Sequence, residues 1–186
     1  NIFLNKFKKI SGILNGTTNY ILTTMLENNL SFDKVLSLAK SKGYTSDAES
    51  ELDIGGLDSA HKLSILASIC FSSKINFSLN EVQGISKIEI DDLINANNLG
   101  YKIKLISEAF VDKNKIYCIT EPKLIKNDNP LANVNGVLNA IKIETDQLKS
   151  LFIEGEGAGG VATSSSVISD LYEIISNTKI TSLGHK

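Results

Sequence analysis

Residues 100–124 read GYKIKLISEAFVDKNKIYCITEPKL. Two runs rich in β-branched and aromatic residues, about 100–112 and 115–124, flank Asp112-Lys113-Asn114. That arrangement predicts two antiparallel strands joined by a hairpin. Moving outward, residues 137–144 and 150–154 also read as strands, and 7–14 (FKKISGIL) as a strand running into a tight turn at Asn15-Gly16. Helical patterns come earlier in the chain. One runs from Thr17 to about Asn28. A second, capped by Ser31, runs to about Lys42, turns Phe32, Val35, Leu36, Leu38 and Ala39 inward and stops at Gly43. A third, Leu57 to Ser72, is apolar on most sides, which predicts deep burial. Residues 91–98 form another. A glycine run (155–160) leads into a last helix at about 163–176. Helices first and strands later predict an α+β fold with helices packed on one face of a mixed or mostly antiparallel sheet. The expected organisation is one domain over 1–178 and a frayed tail at 179–186.

The bulk numbers narrow the function. The chain has 186 residues, 42% of them hydrophobic, and a formal net charge of −2. All 19 basic residues are lysine. No basic field invites nucleic acid or an anionic membrane surface. No apolar run reaches the roughly 18–20 residues a membrane helix needs, and no signal peptide is recognisable at Asn1. Cys70 and Cys118 both lie in apolar runs, so buried free thiols in a reducing cytoplasm are expected. Two histidines, His61 and His185, do not make a metal site.

The most unusual stretch is 44–62. Asp47, Glu49, Glu51, Asp53 and Asp58 place five carboxylates in twelve residues, immediately ahead of an apolar helix. Asp58 and Lys62 are four apart and share a helix face. With Leu57, Ile65, Leu66 and Ile69 around them, that face is expected to be partly buried. A lysine there would be desolvated and suited to proton transfer.

Here the chain resembles a known family. Ala39-x-x-x-Gly43-Tyr44-Thr45 followed by Asp53-Ile54-x-Gly56-x-Asp58-x-x-x-Lys62 is similar to the signature of homoserine dehydrogenases. The block Ile13-Leu14-Asn15-Gly16-Thr17-Thr18-Asn19-Tyr20-Ile21-Leu22 resembles a second. Val134-Asn135-Gly136-Val137-x-Asn139-Ala140 and Gly155-x-Gly157-Ala158-Gly159-Gly160 resemble two later ones, in the same order. The resemblance extends from about residue 5 to 176.

It implies the catalytic and dimerisation domain of a two-domain, NAD(P)-dependent oxidoreductase that interconverts L-homoserine and L-aspartate 4-semialdehyde. The nucleotide-binding Rossmann domain is not contained in these residues. Lys62 and Asp58 are then the catalytic pair. Gly16, Thr17, Tyr44, Asp47, Glu49 and Asp53 contact substrate, and Gly157, Ala158 and Gly159 approach the cofactor. The expected partners are the small-molecule substrate and a second copy in a homodimer. Gly155, Gly157 and Gly160 satisfy G-x-G-x-x-G, but no parallel strand with a following acid fits in the remaining 26 residues, so this is not a dinucleotide turn. The chain departs from the family where Glu49-Ser50 replaces an Asp-Pro step, in a loop one residue longer, and where Ala162 replaces a proline. The alternative reading is an inactive relic or dimerisation module of the same family.

Overall fold

The computed structural model describes residues 5–75 and 81–176. Its sheet consists of β1 (Phe7–Ile13), β2 (Tyr101–Asp112), β3 (Lys115–Lys126), β4 (Leu138–Thr145) and β5 (Ser150–Glu156). The spatial order is β3-β2-β1-β4-β5, and every neighbouring pair is antiparallel. The expected hairpin is present. Asp112 pairs with Lys115, and between them Lys113 and Asn114 have φ of 47° and 63°. Positive φ at both loop positions is the type I′ pattern, whose twist suits the two strands it joins.

The helices are α1 (Gly16–Asn28), α2 (Phe32–Ser41), α3 (Ser50–Ile54), α4 (Leu57–Phe71), α5 (Ile90–Asn98) and α6 (Gly160–Ile175). Ile21 and Met25 of α1, Val35 of α2 and Leu93 of α5 form one core with Leu105 of β2. Leu63 and Ala67 of α4 pack on Ala109 and Cys118. Successive strand residues alternate faces, so Glu108 points to the opposite side from Ala109. There Lys9 and Lys123 meet it at 3.0 and 2.9 Å. The helices-on-a-sheet architecture therefore follows the sequence expectation.

Four points differ, the first being that Leu38 of α2, expected inward, is 39% exposed. The acidic segment contains the short helix α3, which has too few residues to show a period. Residues 130–133 form an unanticipated 3-10 turn, with Pro130 at its start and Asn129 capping it through Leu131 N–H at 3.1 Å. Finally, α4 is not buried on most sides: Ile65 and Ile69 are 49% and 50% exposed. Its inner face is made of small residues, Ser59, Ala60, Ala67 and Ser68, with Leu63, so the sheet takes up only that face. The tail at 179–186 lies outside the described residues, as does His185. Cys118 is buried and Cys70 half-buried, both unpaired. Burial pushes the Cys118 thiol pKa up to about 11 and raises that of Cys70, so both favour the protonated thiol. No helix among the described residues is long and apolar enough to cross a membrane.

Candidate active site

β1 ends at Ile13, and two residues later Asn15 caps α1: its side-chain oxygen accepts the Thr18 backbone N–H at 2.8 Å. This junction forms the floor of a cavity of about 640 Å³. Gly16 must be glycine there. A Cβ would sit 2.6 Å from the Val137 carbonyl oxygen, because the segment leading into β4 passes directly against the helix start. Gly16 and Thr17 thus present the positive end of the α1 dipole to the cavity. The Thr17 hydroxyl donates to the Tyr44 carbonyl at 2.8 Å, fixing the loop that follows α2. The Tyr44 ring packs edge-on against Tyr20 at 4.8 Å, and the Lys42 ammonium lies 5.4 Å from the Tyr20 ring centre.

The acids enter from the next two elements. Asp53 of α3 accepts the Thr45 hydroxyl at 2.8 Å on one oxygen and the Asn15 amide at 2.7 Å on the other. The same amide nitrogen donates to Asp58 at the start of α4, at 2.9 Å. Asp58 in turn accepts the Lys62 ammonium at 2.8 Å, and Lys62 also donates to the Leu14 carbonyl at 3.3 Å. A hydrogen-bonded row therefore runs Thr45–Asp53–Asn15–Asp58–Lys62. The shared helix face of Asp58 and Lys62 is as expected. Its expected partial burial holds for Asp58, at 32% exposed, but not for Lys62, at 50%, on the side where Ile65 and Ile69 also face solvent.

Gly16, Thr17, Tyr44, Glu49, Asp53, Asp58, Lys62, Gly157, Ala158 and Gly159 all line the cavity. Asp47 does not. Its carboxylate turns outward to Lys40 at 2.7 Å and is 93% exposed; the Lys40 ammonium beside it holds its pKa below the usual carboxylate value. The Glu49-Ser50 departure is absorbed locally. Ser46 and Glu49 bond reciprocally ahead of α3, and buried Ser50 starts that helix. Three residues of the site are not singled out by the sequence: Asn15, which bridges Asp53 and Asp58, Thr45, the partner of Asp53, and Asn139. The only prior signal for Asn15 and Asn139 was their place in the family-like blocks.

Asn139 stands between Gly16 and Gly157. Its side-chain oxygen is buried with no partner. A Cβ on Gly157 would lie 1.7 Å from its nitrogen, so only glycine lets β5 run on past it. Around Gly159 and Gly160 there is open space. An orphaned amide oxygen beside a side-chain-free, open backbone fits a flat polar group such as a nicotinamide.

The antiparallel α+β fold thus holds a cavity whose wall carries an acid row that ends in lysine. Residues 2–172 match the homoserine dehydrogenase family model, and the chain belongs to that family. The homoserine dehydrogenase of Methanocaldococcus jannaschii is 42% identical over 175 residues, which are 94% of this chain and 50% of that protein. The crystal structure of the Thiobacillus denitrificans homoserine dehydrogenase is 36% identical and superimposes with a TM-score of 0.86, over 93% of this chain and 40% of that one. A hyperthermophilic archaeal homoserine dehydrogenase mutant in complex with NADPH is 30% identical, with a TM-score of 0.78 over 96% of this chain and 50% of that one. The chain spans 50% of the length of the Methanocaldococcus jannaschii relative and 39% of that of the Neisseria gonorrhoeae homoserine dehydrogenase, to which it is 38% identical.

Proposed function

We propose that the chain is the substrate-binding and proton-transfer part of a homoserine dehydrogenase, which interconverts L-homoserine and L-aspartate 4-semialdehyde with NAD(P) on the way to threonine, methionine and isoleucine. The observation that carries this is the hydrogen-bonded row from Asp53 to Lys62 along one cavity wall. The substrate is a small zwitterion with a reacting oxygen. Asp53, with Glu49 at the cavity edge, offers acceptors for its ammonium. The N-terminus of α1 at Gly16 and Thr17 offers backbone N–H groups and a favourable dipole for its carboxylate. Tyr44 closes that side. Lys62 exchanges the proton with the substrate oxygen, and Asp58 orients the lysine and balances its charge. Gly157, Ala158, Gly159 and Asn139 would hold the nicotinamide end of NAD(P). Bound NAD(P) supplies hydride transfer, so the chain needs no nucleophile, consistent with its two raised thiol pKa values.

In this reading residues 1–178 are the catalytic domain and 179–186 a tail. The sheet face that carries Lys9, Glu108 and Lys123 pairs two copies into a homodimer, and the free thiols fit a cytoplasmic setting. Calorimetric titration of the 186-residue chain with L-homoserine tests the reading. Saturable binding that weakens at least about tenfold in Asp53→Asn is expected, the loss of one charge-assisted contact. Equal binding by both proteins would overturn the assignment of Asp53.

A further inference from the structure

We propose that Asn15 is a positioning residue that locks Asp53 and Asp58 into one rigid frame, setting the distance between the ammonium-binding acid and the proton-transfer pair; this rests on the substrate reading above. Asn15 is 5% exposed, and its amide is fully used. The oxygen is committed to the Thr18 N–H of α1 at 2.8 Å. That bond decides which way the amide lies, so the nitrogen must face the acids. A primary amide carries two diverging N–H donors. Here one goes to Asp53 at 2.7 Å and the other to Asp58 at 2.9 Å.

Helix capping alone does not call for asparagine, since serine or aspartate caps equally well. Serine has one hydroxyl donor on a shorter stem and cannot serve two carboxylates. Aspartate would set a third negative charge against two others. The demand for asparagine therefore comes from the acids. Asp53 and Asp58 belong to different helices, α3 and α4, and Asn15 lies at the β1–α1 junction. Its amide is the direct hydrogen-bonded bridge between the two carboxylates. Thr45 holds the other oxygen of Asp53 at 2.8 Å, so this carboxylate cannot turn without breaking a second bond.

The test uses the 186-residue chain and its Asn15→Ser variant, which keeps the cap and removes the bridge. Two quantities are measured. One is the ratio of affinities for L-homoserine and for 4-hydroxybutanoate, which lacks the ammonium. The other is the Lys62 side-chain ammonium resonance by nitrogen-15 NMR, which needs no ligand. Asn15→Ser should stay folded with a lower melting temperature, since two charge-assisted hydrogen bonds are lost, lower the affinity ratio about tenfold, as expected for one misplaced charge-assisted contact, and shift the Lys62 signal. Asn15→Ser combined with Asp53→Asn should lower the ratio no further than Asp53→Asn alone. Equal weakening of both ligands, or an unchanged ratio with an unchanged Lys62 signal, overturns the proposal. If the wild-type chain binds neither ligand, the substrate reading fails, and the Lys62 signal alone decides the frame: a shift in Asn15→Ser supports it and no shift refutes it.

Discussion

Lys62 presents half of its side chain to solvent, and that exposure limits what its ion pair with Asp58 does for stability. An i,i+4 pair of this kind contributes about 0.3–0.5 kcal/mol. Its value here is orientation, because the ammonium is held between Asp58 and the Leu14 carbonyl. The neighbouring acids divide sharply. Asp53 is held by Asn15 and Thr45 within the cavity wall, whereas Asp47 sits outside on Lys40. Asp47→Ala should therefore change stability by less than about 0.5 kcal/mol and leave L-homoserine affinity unchanged; calorimetry and thermal melting check both. The sequence shows how many carboxylates the segment holds, but not which way each one points. The turn of α3 decides that, and a five-residue helix leaves no periodic trace. The role of Asn15 was invisible for another reason. Its partners are 38 and 43 residues away, while the local pattern shows only a helix cap.

Among the elements, those with a clear period were the ones legible in the sequence. The β2–β3 hairpin could be read because two strand-like runs flank a short polar link. Its register follows from the type I′ loop at Lys113-Asn114. Lysine is a poor residue for a positive φ, which costs an ordinary L-residue about 1–2 kcal/mol, whereas Asn-Gly is the favoured pair for this turn. Replacing Lys113-Asn114 by Asn-Gly should stabilise the chain by about 1 kcal/mol, read as a higher urea midpoint at unchanged slope. Helix α4 was legible in position but not in burial. Its apolar residues Ile65 and Ile69 satisfied the pattern of a buried helix, yet the sheet receives only the side lined by Ala60, Leu63 and Ala67. A hydrophobic pattern reports which residues favour burial; it does not report how many neighbouring elements are there to provide it.

For the molecule as a whole, Lys104 makes stability depend on pH. Its buried ammonium donates to Asn19 Oδ1, Thr23 Oγ1, the Val134 carbonyl oxygen and Asn135 Oδ1 at 2.6–3.4 Å, all neutral oxygens. Burial, with the nearby Lys102 charge, pulls its pKa from 10.5 down to about 8 against the opposing pull of Glu27. Between those values the unfolded chain holds a proton that the folded chain has released, so stability rises with pH. This contribution is complete above 10.5 and is lost as pH falls through 8. Cys118, raised from 9.0 to about 11, acts in the opposite sense above pH 9, so the clearest window is pH 8 to 9. There the wild type should gain about 1 kcal/mol, and Lys104→Met should lose that rise; urea unfolding at the two pH values measures it.

If this fold carries the substrate and proton-transfer site of a homoserine dehydrogenase, activity must depend on Lys62. The measurement is NAD(P)-linked oxidation of L-homoserine by the protein expressed from its whole gene, compared with its Lys62→Ala variant. Turnover should fall about 10²–10⁴-fold in the variant, the usual contribution of a positioned proton-transfer group, with melting temperature unchanged. Full activity in Lys62→Ala, or a folded wild-type protein that does not oxidise L-homoserine, would contradict that reading.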